Sequence, residues 1–255
     1  MKNILLLSFI LLLVVISCNV IVVNAKEISH NSPITILRAG GGSSSGGHSS
    51  SGGSSSGGHY GSRGYSNPIV NIISYIIFAF IFFASAIILY FKVLRASFNS
   101  KRYLRLLDDK DITFKYKTIE KRVTESFYVI QEAWTNNDIS KAKDYMAKDL
   151  YENFKIKLEW MDVNNRRNVL KKIRLVNLKP VSIYDDKDDK KDLIWFYIKG
   201  KMIDYTIDTK TRNIVDGTTK NKSFIEFWKF VKNNCNEWVL SEILQKDESS
   251  KIEFK

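Results

Sequence analysis

Histidine and cysteine, on which much nucleophilic and metal chemistry depends, are scarce in the second half of this 255-residue chain. All three histidines precede residue 60. Cys235 therefore has no second cysteine or histidine nearby in sequence with which to form a metal site or a catalytic pair. Gly200 and Gly217 are the only glycines after Gly64, too few for a loop that cradles phosphate. We therefore expect no catalytic residue, metal or cofactor in this part.

A cluster of four aspartates and an aspartate–tyrosine pair are the remaining candidates for metal binding or proton transfer. Asp185, Asp186, Asp188 and Asp189 resemble a calcium-binding loop, but the mid-loop glycine and the distal glutamate of such loops are missing. A solvated turn is the better interpretation. An aspartate and a tyrosine that share a pocket can transfer a proton. Asp204 and Tyr205, however, are neighbours in a predicted strand, so their side chains should point to opposite faces.

The N-terminus has the pattern of a secretory signal peptide. A positive start precedes an almost wholly apolar stretch over residues 4–16, and small residues precede a cleavage site after Ala25. Two alternatives stay open: lipoprotein processing at Cys18, or an uncleaved signal anchor. In each case residues 1–25 direct the following segment out of the cytoplasm.

Residues 26–67 are predicted to be a disordered segment outside the cytoplasm. Eleven of the thirteen glycines lie between Gly40 and Gly64, interleaved with serine. Such a composition cannot bury enough apolar surface to offset the entropy of ordering. His48 and His59 in this arm could bind a metal weakly, although a solvated flexible arm is the simpler interpretation. One functional hypothesis is that this arm acts as a surface or envelope sensor.

Residues 68–91 are predicted to be one transmembrane helix. The stretch Ile69–Phe91 contains no charge, and as a helix it would be about 35 Å long, enough for a hydrocarbon core of about 30 Å. Five cations and no acid follow it, which by the positive-inside rule places residues 92–255 in the cytoplasm of a single-pass cell-membrane protein. This basic juxtamembrane segment, 92–112, could contact anionic lipid through those five cations: Lys92, Arg95, Lys101, Arg102 and Arg105.

The remainder predicts an α+β domain over residues 113–246, followed by a polar tail, 247–255. Apolar residues recur at helical spacing over 119–134 and again over 139–158, with a break at 136–138. Four strands are expected at 173–183, 193–205, 224–231 and 237–244, with a bulge or edge at Pro180 and polar segments at 162–168, 185–192 and 208–219. Helices followed by a meander predict a four-stranded antiparallel sheet curled over the helices.

The last two strands carry a resemblance to a known family. Glu226-Phe227-Trp228-Lys229-Phe230 and the run from Trp238 to Ile243 are similar to the ending of the domain shared by the mitochondrial import-motor tether and a related mitoribosomal protein. Ala133-Trp134, Asp138 and Leu150-Tyr151 also fit, so the resemblance extends over about residues 114–244. Bacterial members share this chain's order of signal, Gly/Ser-rich tract, span and domain.

The resemblance implies a cone-shaped fold like that of nuclear transport factor two, and a non-enzymatic scaffold that contacts a protein partner or lipid, in membrane protein transport or assembly. Nucleic acid is not an expected partner. An apolar hollow is predicted to be lined by Trp134, Phe154, Trp160, Trp195 and Trp228. The alternative is a cone-fold enzyme acting on an apolar small molecule, and ordinary core packing would equally explain each of the five aromatic residues.

Overall fold

The computed structural model describes residues 68–109, 111–186 and 191–255. The predictions for the signal peptide and for the Gly/Ser-rich arm, and those for Asp188 and Asp189, lie outside these residues. Helix α1 (Pro68–Asp108) contributes to two compact units, which divide the described residues at Phe91/Lys92. Within the described ranges, none of the helices is long and apolar enough to cross a membrane. The span predicted for residues 68–91 is therefore not confirmed and stays a prediction.

The first predicted helical stripe forms helix α2 (Tyr116–Thr135) and lies in the core. Its repeating apolar residues, from Ile119 to Trp134, are all buried. The chain then turns at Asn137, whose φ of 56° is left-handed, and this turn is where the sequence predicts a break.

The second predicted helix is divided in two by a tertiary contact. Residues Ile139–Tyr145 form a 3-10 helix, and helix α3 follows at Lys148–Val163. Between them, Met146 is extended and bridges to Leu240, and the Ala147 N–H donates to the Leu240 carbonyl at 2.8 Å. Apolar spacing continues across this break, so the sequence pattern does not reveal it.

The α+β architecture and the antiparallel four-stranded sheet are confirmed. The strands are β1 (Arg166–Tyr184), β2 (Leu193–Asp208), β3 (Ile214–Lys232) and β4 (Trp238–Gln245), in spatial order β1-β2-β3-β4. The register shifts between Pro180 and Ser182, as the proline predicts. β1 and β3 begin earlier than the sequence predicts, because they continue pairing with β2 through polar stretches that lack the apolar alternation of a strand.

Alternation along the strands gives the sheet two different faces. Ile194, Phe196 and Ile198 of β2 belong to the core cluster with α2 and α3, so they define the inner face. Trp195 and Tyr197 between them lie on the outer face. In the core, the Phe127 ring of α2 lies 5.6 Å from that of Trp228.

The C-terminal tail packs against the domain. A 3-10 helix (Lys246–Lys251) follows β4, Ile252 is buried, and the Phe254 ring meets the Phe227 ring edge-on at 5.7 Å. The Lys255 N–H donates to the Val181 carbonyl at the free edge of β1. The tail that composition describes as polar therefore includes two anchoring apolar residues.

Candidate functional site

Three of the five aromatic residues predicted to line a hollow lie together in the core. Trp134 and Phe154 meet with ring centroids 5.3 Å apart, and both are buried. Trp228 is also fully buried in the same cluster, and its indole N–H donates to Glu226 Oε2 at 2.9 Å. Their placement is what core packing requires, and contact with a ligand stays a prediction.

The other two tryptophans lie elsewhere. Trp195 is on the outer face of the sheet, because Ile194 and Phe196 on either side of it face the core; Lys229 Nζ stands 5.7 Å from its ring. Trp160 is exposed on α3. The five residues therefore do not line one common hollow, because strand alternation and the helical phase of α3 separate them.

A buried hydrogen-bond network connects α2 to the start of the sheet, and the sequence patterns do not reveal it. Asn168 Oδ1 accepts from the Trp134 indole N–H at 3.0 Å, and Asn168 Nδ2 donates to Asp204 Oδ1 at 2.9 Å. Asp204 is therefore on the inner side of β2. Tyr205 is on the opposite side, with Lys171 Nζ 5.8 Å from its ring. As strand alternation predicts, these two residues cannot share one pocket.

Two further polar side chains are fully buried on the inner side of the domain. Glu226 accepts from Trp228 and, at 3.4 Å, from Gln245 Nε2. Gln131 of α2 is fully buried, and neither of its amide atoms has a hydrogen-bond partner among the described residues. A buried amide without partners costs stability, so Gln131 is a weak point of the core.

A buried ion cluster joins the segment after α1 to one end of the sheet. Lys232 Nζ lies 3.0 Å from both Asp111 Oδ2 and Asp192 Oδ2, and 4.5 Å from the centroid of the Phe114 ring. Burial opposes ionisation of Asp111, but hydrogen bonds from Thr113 and Lys232 outweigh it and lower the pKa of Asp111. Burial likewise opposes the charged form of Lys232, and its two carboxylate partners raise its pKa. Both shifts favour the charged forms of Asp111 and Lys232 at neutral pH, and the contacts of Lys232 with the two carboxylates hold these elements together.

The five predicted lipid-contacting cations divide into two kinds. Lys92 and Lys101 lie against rings, at 4.3 Å from the centroid of Phe254 and 4.9 Å from that of Tyr116. The arginines Arg95, Arg102 and Arg105 are exposed and have no ion-pair partner in the described part of the chain. These three are available to an anionic surface, and their contact with lipid stays a prediction.

Helix α3 presents apolar side chains on two faces. Phe154, Leu158 and Met161 are buried against the core. Ile156, Trp160 and Val163 are 60%, 38% and 80% exposed. Their i, i+4, i+7 spacing aligns them on one side of the helix, and we call these three residues the α3 stripe.

A polar cleft of about 230 Å³ borders the α3 stripe, between α3 and the 3-10 helix before it. Glu159 borders both the stripe and the cleft. Three carboxylates and one ammonium line the cleft, from Asp138, Glu159, Asp162 and Lys155. Asp162 accepts from Asn137 Nδ2 at 2.8 Å. Asp138 already has a cation beside it, since Lys141 Nζ lies 3.7 Å from its Oδ2. The remaining excess of one carboxylate suits a cationic side chain.

A second cavity, of about 340 Å³, lies between α1 and the end of β1. Its lining includes Ser100, Tyr103, Tyr184, Asp185 and Lys255. No charged side chain that is both buried and directed into it is described, so it has no built binding group. Among the described residues, no group of three or more histidine, cysteine, aspartate or glutamate side chains could hold a metal ion.

The chain is similar to one protein family and to several solved structures. The family model described as the Tim44-like domain matches residues 100–245. No curated protein matches the chain. The intermembrane space region of the chloroplast protein ARC6 is 12% identical, with 51% of this chain and 96% of that chain covered at a TM-score of 0.39. An Ntf2 like protein involved in plasmid conjugation is 9% identical, with 46% and 42% covered at a TM-score of 0.27.

Proposed function

The chain belongs to the Tim44-like domain family, and from this premise we propose that its folded part is a non-enzymatic scaffold that binds a segment of a partner protein at helix α3. The family resemblance carried by the motifs around Trp228 and Trp238 is thereby confirmed, while a bacterial source stays a prediction. The observation that carries the proposal is the α3 stripe, since an apolar row exposed on the side of a helix that faces away from the core marks an interaction site.

The stripe has the composition of an interface centre. Tryptophan is enriched among the residues that dominate binding energy, especially where neighbouring apolar side chains exclude water from it. Ile156 and Val163 flank Trp160 in this way. Tertiary packing inside the domain does not explain the stripe, because the opposite side of α3 already supplies Phe154, Leu158 and Met161 to the core.

The charge of the cleft beside the stripe indicates the chemistry of the partner. A segment that covers Ile156 and Trp160 with apolar side chains would pass over Glu159, and a lysine or arginine near those side chains would reach the carboxylates of the cleft. The partner is therefore a polypeptide segment with apolar residues and a nearby cation. Charge complementarity of this kind selects the partner and sets its register.

Membrane attachment is part of the proposal and rests on sequence. The charge-free stretch Ile69–Phe91 is followed by five cations between Lys92 and Arg105, a pattern typical of a stop-transfer helix with residues 92–255 in the cytoplasm. Protease added to sealed cells should then spare residues 92–255, and carbonate washing should leave the chain in the membrane fraction. Digestion of the domain in sealed cells would contradict the orientation.

Site-specific crosslinking tests the partner site. A photoreactive phenylalanine analogue at position 156 of the full-length chain should give one major protein adduct in cells. Trp160→Ser and Glu159→Lys should each reduce that adduct several-fold, because the first removes the central anchor and the second repels the partner's cation. Ile214→Ser, which alters an exposed apolar residue on β3, is the control and should leave the adduct unchanged.

The identity of the crosslinked peptide decides the outcome. Mass spectrometry should place the attachment on an apolar residue with a lysine or arginine within a few positions. An adduct that is insensitive to both α3 substitutions, or an adduct to lipid alone, would refute the proposed site.

A further inference from the structure

The outer face of the β1–β2 hairpin carries a row of cations. Ile198 and Met202 are buried on the inner face, so strand alternation places Lys199 and Lys201 on the outer one. Arg174 of β1 is the direct cross-strand partner of Lys201. Two positive side chains therefore stand opposite each other on one face of the sheet.

Lys171 extends this row, and we call Lys171, Arg174, Lys199 and Lys201 the basic face. Lys171 pairs with Ile203 in the register and lies near the Tyr205 ring. None of the four forms an ion pair with any carboxylate of the described chain. The other outer-face positions around them on β1 and β2 carry no carboxylate, namely Val169, Asn177, Lys179, Ile203 and Tyr205.

This arrangement costs stability. Like charges directly opposite each other in a sheet are destabilising. Farther along the same outer face, the chain does provide a partner, since Lys229 Nζ lies 3.4 Å from Glu242 Oε2. Arrangements that cost stability without a compensating contact concentrate at functional sites. The lack of a carboxylate beside these cations points to an anionic ligand.

We propose that the basic face binds an extended acidic segment of a polypeptide. Side chains two residues apart on one side of a strand are about 7 Å apart, and Lys199 and Lys201 have this separation in sequence. An extended segment with a carboxylate at every second position repeats at the same distance. Arg174 and Lys171, across the hairpin, give a second row that a bidentate carboxylate contact can use.

Two other anionic partners fit the face less well. Single-stranded nucleic acid binding relies on open aromatic rings for stacking, yet Lys171 lies over Tyr205, and the Tyr197 ring already meets Phe227 edge-on at 5.8 Å. A bilayer presents a broad surface, whereas the twist of adjacent strands turns successive side chains away from one plane. Short-range pairing with a narrow chain therefore matches the row better.

A binding assay with the full-length chain in mild detergent tests this proposal. The probe is a fluorescein-labelled dodecapeptide in which glutamate and threonine alternate, followed by anisotropy. We expect the peptide to bind in a salt-sensitive manner. The double variant Arg174→Gln/Lys201→Gln should raise the dissociation constant about tenfold, because each lost charge weakens binding several-fold. The matched control Lys117→Gln/Lys246→Gln also removes two exposed cations, from α2 and from the last 3-10 helix, and should bind as the unchanged protein does.

Thermal unfolding of the same variants tests whether a variant that no longer binds the peptide is still folded. Arg174→Gln/Lys201→Gln should unfold at the same temperature as the unchanged chain or higher, since it relieves repulsion. No peptide binding by the unchanged chain, or equal loss in both double variants, would overturn the proposal. So would tighter, basic-face-dependent binding of vesicles of phosphatidylcholine and phosphatidylserine or of an oligothymidine, because either would assign the face to another class of partner.

Discussion

Replacing Lys232 with methionine should destabilise the domain more than any exposed charge substitution on the same strand. The Lys232 side chain is 1% exposed and that of Asp192 is 0% exposed, with Lys232 Nζ 3.0 Å from Asp192 Oδ2. Methionine keeps most of the side-chain length but removes the ammonium group. The Asp192 carboxylate then stays buried without its ion-pair partner, and its described hydrogen-bond donor is the Asp186 backbone N–H at 2.9 Å.

The expected cost follows from burial. Removing one partner of a buried ion pair costs about 3–5 kcal/mol, because the other charge is left uncompensated. Lys232 also contacts Asp111, whose side chain is 34% exposed; water can solvate that carboxylate, so its loss of a partner adds little. The loss of unfolding free energy should therefore lie at the lower end of this range, at about 3 kcal/mol.

Lys229→Met is the matched control. Lys229 lies on the same strand and pairs with Glu242 at 3.4 Å, but the two side chains are 28% and 43% exposed. A pair of this kind contributes about 1 kcal/mol or less. Urea unfolding of the full-length chain, followed by far-ultraviolet circular dichroism, should separate the two variants by about 2 kcal/mol. Equal losses would refute the view that burial sets the strength of the Lys232 cluster.

Three further substitutions test other parts of the domain. Asp111→Asn should destabilise the domain at neutral pH, because the fold lowers the pKa of Asp111. The stability that the carboxylate contributes is present above its unfolded-state pKa of about 4 and is lost as the pH falls through its folded-state pKa. The unfolding free energies of variant and parent, measured against pH, should therefore converge in acid. Asn168→Ala should cost about 1–3 kcal/mol in urea unfolding, since the Trp134 indole N–H loses its buried acceptor, and unchanged stability would contradict this role. Gln131→Met should instead stabilise by about 1–3 kcal/mol, because it replaces two unpartnered buried amide atoms at similar volume; a loss of stability would show that the amide has a partner after all.

Local sequence patterns were sufficient to predict most of the elements. The apolar stripe from Ile119 to Trp134 gave α2, and the aromatic, β-branched run after Leu193 gave β2, because each pattern reflects which side chains one regular element buries. The paired motifs around Trp228 and Trp238 identified the family and its sheet. Predictions for residues 1–67 depend on composition, and the described structure does not test them.

Element ends and the grouping of side chains depended on tertiary structure. The break before α3 comes from the Ala147–Leu240 hydrogen bond, which joins positions 93 residues apart in sequence. β3 extends to Ile214 because β2 provides a hydrogen-bonding partner, although residues 216–223 contain no large apolar side chain. Similarly, a sheet curled over helices predicted an apolar hollow lined by five aromatic residues, but strand alternation and helical phase place Trp195 and Trp160 apart from the other three.

The amino-acid sequence alone determined the basic charge balance, the absence of histidine after residue 59 and the α+β fold, because all of these follow from composition and short-range periodicity. The folded structure decided which charges meet. Lys232 finds Asp111 and Asp192, whereas Arg174 and Lys201 meet each other, and only the long-range register of the chain brings these side chains within reach. The exposed α3 stripe was equally a tertiary result, since the sequence shows apolar residues on both sides of that helix and packing selects which side stays uncovered.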